Sequence, residues 1–410
     1  MTELAGVQRV KWPFIARYTA AFMCCILLLI APLLVTLALK IDSLVGIDQA
    51  PGRLAVVAGL GSLVAMFGNP LSGRLSDRTS SRWGMRRPWI VIGLAGGSVG
   101  TLIVALAPNI PVVLVGWCIA QLFFNALLAA MVAVLPDQVP ALQRGVVSGV
   151  LGICLPIASV CGAFLVKLFS GSLLAMFMAP CVFGGIFIVL FAATIDDRRL
   201  LAADKPDWSM GEFARTFYVK PGASPDFAWA FASRFMFVLA YAFLTTYQTF
   251  YLLDRVGSAK ADVPEQIFLG ILVQSIVVIA ASLVGGKLSD RTGRRKVFVF
   301  AAAIVYSAAM FVFALASNFD GFLVGMAIAG LGLGVYLAVD LALVVDVLPD
   351  SGNTAKDLGV FNIAGALPYS IAPAMAAGIL AVGGYGAVFS VAGCAAVVSA
   401  VAILFVKRVR

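Results

Sequence analysis

The chain has 410 residues, of which 62% are hydrophobic and 12% charged, and its mean hydropathy is +1.03. A soluble chain carries about 25% charged residues, so this composition excludes a soluble globular protein and a disordered one alike. The net charge of +9 is no sign of nucleic-acid binding, because the basic residues sort by membrane topology, and the count of 0 His removes the commonest metal ligand and general base.

An apolar run of about 20 residues crosses a bilayer as a helix. Such runs lie at 14–39, 54–74, 88–107, 111–134, 145–168, 173–194, 227–252, 265–287, 297–316, 320–347, 357–381 and 385–406. The first, at about 26 residues, is too long for a secretory signal core and lacks a small-residue cleavage site, so it reads as a retained span. The expectation is an all-α polytopic membrane protein with twelve spans. With the N-terminus inside, the outer loops hold only Lys40, Arg53, Lys167, Arg255 and Lys260, while Arg234 lies within a span; the other 23 of the 29 basic residues fall inside. That bias puts both termini in the cytoplasm of a cell-membrane protein.

Gly73-Arg-Leu-Ser-Asp77-Arg-Thr79 returns as Gly286-Lys-Leu-Ser-Asp290-Arg-Thr292, and Leu135-Pro-Asp137 returns as Leu348-Pro-Asp350, both at an offset of 213. Two matches at one offset indicate a duplicated six-helix unit. The expected organisation is a bundle at 1–194, a cytoplasmic linker at 195–226 and a second bundle at 227–410. The linker crowds Asp196, Asp197, Arg198, Arg199, Asp204, Lys205 and Asp207. Ser209 and Glu212 then have capping-box spacing and Phe213 and Phe217 share a face, which gives either a short interfacial helix or a plain polar loop. Cys24, Cys25, Cys118, Cys154, Cys161, Cys181 and Cys394 all fall in apolar stretches without CxxC spacing. They read as packing residues, and neither a metal nor a cofactor is expected.

Two sets of six helices with paired loop signatures resemble the major facilitator superfamily. The signature runs Gly73, Arg74, Leu75, Ser76, Asp77, Arg78 in one half, and Gly286, Lys287, Leu288, Ser289, Asp290, Arg291, Thr292, Gly293, Arg294, Arg295, Lys296 in the other. The longer first copy, which continues through Arg82, Trp83, Gly84, Met85, Arg86, Arg87 and Pro88, is similar to the glycoside–pentoside–hexuronide cation symporters and the sucrose transporters. Met85 departs from the basic or polar residue usual there. A carboxylate at a helix C-terminus is repelled by that helix's dipole, so Asp77 and Asp290 need an Arg or another helix's N-terminus as partner. The resemblance implies the start of helix 11 for Asp77 and of helix 5 for Asp290. With Arg78, Arg86, Arg87, Arg291 and Arg294 they form a gate that closes in one state and opens in the other, or an ordinary basic loop that fixes topology.

Charge inside a span is costly and marks function. Arg234 in helix 7 and Asp340 in helix 10 lie roughly 12–13 Å from the same boundary at 1.5 Å per residue. They are expected to pair and to couple a proton to transport, or to form a static packing pair. Asp346 is expected at the interface and Lys40 and Lys167 as snorkelling residues, whereas Arg17 either snorkels or contacts substrate. The substrate candidates are Trp117, Gln121 and Asn125 on one face of helix 4, Tyr241 and Gln248 with Thr245 on helix 7, Gln274 on helix 8, and Asn362 with Tyr369 on helix 11. The same residues serve equally as interhelical hydrogen bonds, and Tyr251 as an interfacial aromatic.

Pro156, Pro368 and Pro373 allow helix deformation. Leu155 before Pro156 breaks the glycine-rich helix-5 motif of the drug/proton antiporters. The chain has no GxxxxGK[ST] loop and no His, so an enzyme is not expected. The reading is a secondary transporter: symport of a sugar or glycoside with a coupling ion, H⁺ favoured over Na⁺, in a monomer. The alternative is export of a drug-like or metabolite molecule.

Overall fold

The computed structural model describes residues 10–200, 225–347, 361 and 363–407. Every regular element among them is helical. They are α1 (Trp12–Val45), α2 (Ala50–Asp77), α3 (Arg87–Leu106), α4 (Ile110–Gln138), α5 (Leu142–Leu168), α6 (Leu173–Thr194), α7 (Pro225–Arg255), α8 (Val263–Thr292), α9 (Arg295–Leu315) and α10 (Phe319–Val347). An eleventh apolar helix, Ile363–Leu404, has 42 residues, about 63 Å at 1.5 Å per residue and twice the hydrocarbon thickness. Gly384 breaks it with φ +62 and ψ −160. It is therefore two spans, α11 (363–383) and α12 (385–404), which makes twelve spans among the described residues, the number expected.

Local chemistry sets the ends. Pro88, Pro111 and Pro264 sit at the starts of α3, α4 and α8, where the missing N–H costs nothing. Asn109 and Ser172 cap α4 and α6 by accepting from Val112 N and Ala175 N. α8 stops at Gly293, whose φ of +63 is a left-handed C-cap. Pro32 does not end α1: a π-helical turn over Pro32–Thr36 absorbs it, and the helix runs on to Val45. The sequence placed that end at 39. Lys40 consequently lies inside the helix and is buried, 8% exposed, rather than snorkelling.

By contact the chain forms two compact units. One holds Thr36 and the residues before it together with Leu63 onward through α6; the other holds Leu37–Ser62 and α7 to α12. Within the first, α1 packs on α5 and α6, and α3 on α4 and α6. Within the second, α7 packs on the α11–α12 pair, α9 on α10 and on that same pair, and α8 on α10. With Asn69 of α2 bonded to Asn125 of α4 as the counterpart of α8 on α10, the pairings of the second unit match those of the first by adding six to the helix number, which is the duplication seen as packing. Small residues permit it: a Cβ at Gly334 would lie 2.5 Å from the Val278 carbonyl oxygen, and one at Gly100 2.4 Å from Ala120 N. Reciprocal hydroxyl bonds between Ser233 and Ser399 tie α7 to α12.

The interfacial helix expected around Ser209–Phe217, the second Leu348-Pro349-Asp350 and the first residues of the span begun at 357 lie outside the described residues, as does the side chain of Asp346.

Candidate functional site

Arg234 and Asp340 meet. Nη1 of Arg234 donates to Oδ2 of Asp340 at 2.5 Å, joining the middle of α7 to α10. The two side chains keep 22% and 12% of their surface exposed, so the pair is reachable rather than sealed. The guanidinium carbon lies 5.1 Å from the Phe361 ring centroid, a cation–π contact. Its Nε is buried without a hydrogen-bond partner. Tyr336, one turn before Asp340, stacks on Phe237 with centroids 3.6 Å apart. Its buried hydroxyl lies beside the carboxylate without meeting hydrogen-bond geometry.

Along α7, residues 234, 237, 241, 245 and 248 share one face. Tyr241 meets the edge of Tyr369 of α11, with centroids 6.3 Å apart. The Tyr306 hydroxyl, Gln248 Nε2, Gln274 Nε2 and Ser370 Oγ are buried and unpartnered. Each such group costs about 1–3 kcal/mol if nothing bonds it, so each calls for a water or solute atom as partner. Asn362 lies outside the described residues. Tyr251 is not interfacial: it is fully buried among Phe313, Phe322, Tyr385 and Phe389, and its hydroxyl donates to the Ala316 carbonyl at 2.9 Å. The reason is that the helix continues past it as a π turn, Tyr251–Arg255.

The α4 stripe is engaged with its own unit. Asn125 Nδ2 donates to the backbone and side-chain oxygens of Gln121 at 2.8 and 3.1 Å, and Asn69 of α2 donates to the Asn125 carbonyl at 3.3 Å. Trp117 is 2% exposed, with its indole N–H unpartnered. Arg17 is exposed and donates to its own helix's Pro13 carbonyl. Among the described residues it forms no hydrogen bond or ion pair with the other candidates in its unit.

The α2–α3 loop is organised on Arg86. Its Nη1 pairs with Asp77 at 2.6 Å and donates to Ser76 Oγ at 2.9 Å, and its Nε pairs with Asp137 of α4 at 2.8 Å. Burial pushes the guanidinium pKa down, but the hydrogen bond and charge of Asp137 and the charge of Asp77 outweigh it and hold the group above its ordinary value. Asp197 accepts from the backbone N–H of Arg86 and of Arg87, each at 2.7 Å, placing a carboxylate at the start of α3. Arg87 also donates to the Ile195 carbonyl at 2.6 Å. Asp77 therefore finds its cation in its own loop. Arg78 is half-buried, and Asp290, Arg291 and Arg294 are exposed. The last three form no ion pair among the described residues.

The model of the Major Facilitator Superfamily matches residues 14–272 and 261–410. The chain belongs to the Major Facilitator Superfamily. It is a multi-pass membrane protein. Over 137 residues it is 26% identical to the major facilitator superfamily multidrug transporter mfsC of Aspergillus fumigatus; that is 33% of this chain and 26% of the relative, so the chain spans about a quarter of that protein. Its fold is similar to the nucleoside transporter NupG (TM-score 0.76, 12% identity, 95% of this chain and 99% of that one). It is also similar to the human organic anion transporter MFSD10 (TM-score 0.68, 14% identity, 97% and 100%).

In this Superfamily member, sequence reasoning missed Tyr336, Asp137 as a ligand of Arg86, and Asp197 at the α3 terminus. It also missed Asp42, which is 3% exposed and paired with Lys260 at 2.5 Å. Spacing held a signal for Tyr336, one turn from Asp340. Asp137 stood in the repeated Leu-Pro-Asp motif. A further cavity of about 610 Å³, lined among others by Asp48, Arg53, Asp254 and Tyr385, contains none of the predicted site residues.

Proposed function

We propose that the chain is a proton-coupled secondary transporter of the cell membrane that works by alternating access, with both termini cytoplasmic. The observation that carries this reading is the Arg234–Asp340 pair. Inside a helix bundle burial disfavours a carboxylate's charged form and a facing guanidinium favours it, so drawing that guanidinium away favours uptake of a proton. Proton uptake and solute binding then share a group, which is what coupling requires. The α2–α3 loop and the Tyr, Gln and Thr stripe on α7 support a sugar or glycoside as the solute and uptake as the direction. The organisation into 1–194, 195–226 and 227–410 and a monomeric state belong to the same reading. The alternative, export of a drug-like or metabolite molecule, is favoured by the likeness to a multidrug transporter over a third of the chain.

The test is transport in energised vesicles. Radiolabelled disaccharides should accumulate inward under an acid-outside gradient and lose that accumulation on uncoupling. Asp340→Asn should keep downhill exchange and lose accumulation. An Asp340→Asn protein that still concentrates its solute would sink the coupling role, and outward pumping of a hydrophobic dye would favour export.

A further inference from the structure

We infer that the cavity lined by the α1–α2 loop, the end of α7 and the α11–α12 break binds a zwitterion, with its oxyanion at the start of α2 and its ammonium at Asp254. Neither Arg234 nor Asp340 lines this cavity, so its ligand is independent of the coupling reading.

Its volume of about 610 Å³ is that of a small-molecule site. Every residue lining it belongs to the second unit. Three of them carry charge: Asp48 in the α1–α2 loop, Arg53 in the first turn of α2, and Asp254 in the π turn of α7. All three are exposed, and none forms an ion pair or a side-chain hydrogen bond among the described residues. Charges of both signs therefore share one cavity without neutralising each other.

The start of α2 supplies the anion subsite. Ala50 N and Arg53 N donate to the Gly46 and Gln49 carbonyls, but Gly52 N between them has no acceptor among the described residues. Asp48, four positions earlier, does not accept from it. A Cβ at Gly52 would meet nothing within 4 Å, so no side chain crowds that turn. An oxyanion there gains the N–H, the positive end of the helix dipole and the Arg53 guanidinium.

Tyr385 is the independent sign of a ligand. It lines the cavity, it is only 5% exposed, and its ring meets Tyr251 edge-on. Its hydroxyl has no hydrogen-bond partner among the described residues. A polar group buried beside open space calls for a partner from outside the chain.

The two signs of charge select the ligand. A simple anion at Arg53 would leave Asp48 and Asp254 unmatched and repelling it, and a simple cation at Asp254 would leave Arg53 and the α2 terminus unmatched. A molecule that joins both charges by a short spacer matches each group with its opposite. Its ammonium donates to Asp254, Asp48 and the Tyr385 hydroxyl, and its oxyanion accepts from Gly52 N and Arg53. Arg255, next to Asp254, does not line the cavity, which leaves Arg53 as the cation the ligand meets. The headgroup of an ethanolamine phospholipid and a free amino acid share this chemistry.

The experiment uses the purified full chain and four probes. Glycerophosphoethanolamine and β-alanine hold both charges, ethanolamine holds the cation alone, and glycerophosphoglycerol holds the anion alone. In phosphatidylglycerol nanodiscs at least one zwitterion should raise the thermal midpoint saturably, and the single-charge probes at equal concentration should not. Arg53→Gln and Asp254→Asn, both at exposed positions and checked for a monodisperse elution profile, should each weaken that binding at least tenfold. Tyr385→Phe should weaken it several-fold. Repetition in phosphatidylethanolamine nanodiscs separates the sources. Probe binding that vanishes there assigns the site to the lipid headgroup, and equal binding in both discs assigns it to a free solute. A midpoint shift by ethanolamine or glycerophosphoglycerol as large as by the zwitterions, no binding of either zwitterion in phosphatidylglycerol discs, or unchanged affinity in both charge variants overturns the inference.

Discussion

At the scale of single residues, the Arg234–Asp340 contact has an energetic signature separable from transport. Removing the cation alone leaves a buried carboxylate unpaired, and breaking a buried pair from one side costs about 3–5 kcal/mol. Removing both charges costs much less. Arg234→Gln should therefore lower the thermal midpoint strongly, and the Arg234→Gln/Asp340→Asn double variant should recover most of it; simple additivity of the two losses would show that the residues do not stabilise each other. The pair was legible in the sequence because charges in apolar runs are few and helical rise converts residue number into depth. The surroundings were not. Gln121 and Asn125 have the spacing of a substrate stripe, yet the donor to Asn125 is Asn69 from another helix, 56 positions away, and no spacing rule reveals it. Tyr336 carries no formal charge, so it did not stand out among the aromatics.

At the scale of elements, the α2–α3 loop is held by its distant partners. Gly84 has φ +105, and a Cβ there would lie 2.1 Å from Asp197 Oδ2. Gly84→Ala must strain the backbone and push Asp197 off the start of α3, where it accepts two backbone N–H groups. The loss should be roughly 2–4 kcal/mol, from the strained conformation and the charge-assisted hydrogen bonds together. Gly145→Ala in α5, where nothing lies within 4 Å, is the comparison and should be tolerated. Equal thermal midpoints for the two variants would refute this account of the loop. The signature around Asp77 and Arg86 was visible as a motif, because repetition at a fixed offset marks it. Its wiring was not, because Asp137 and Asp197 arrive from the far ends of α4 and α6.

At the scale of the whole molecule, the duplication reproduces the helix pairings, and the offset of 213 foretold that much. Membership of Leu37–Ser62 in the second unit depends instead on contacts between residues hundreds of positions apart. Ser62 donates to the Tyr369 carbonyl at 3.4 Å, and the Tyr247 hydroxyl donates to the carbonyls of Pro373 at 3.1 Å and Pro51 at 3.5 Å. Asp42 adds the charged member of this set. It is buried, its Oδ1 is unpartnered, and its Oδ2 meets the ammonium of the largely exposed Lys260. Lys260→Met keeps the stem and removes the charge, which leaves a desolvated carboxylate that water must reach. The segment should then open locally more often. Hydrogen–deuterium exchange on the intact protein should show faster exchange across 37–62, with α3 to α6 unchanged. An unaltered profile across 37–62 would mean that the hydroxyl bonds and apolar packing hold the segment without the ion pair, and faster exchange throughout would point to global destabilisation instead.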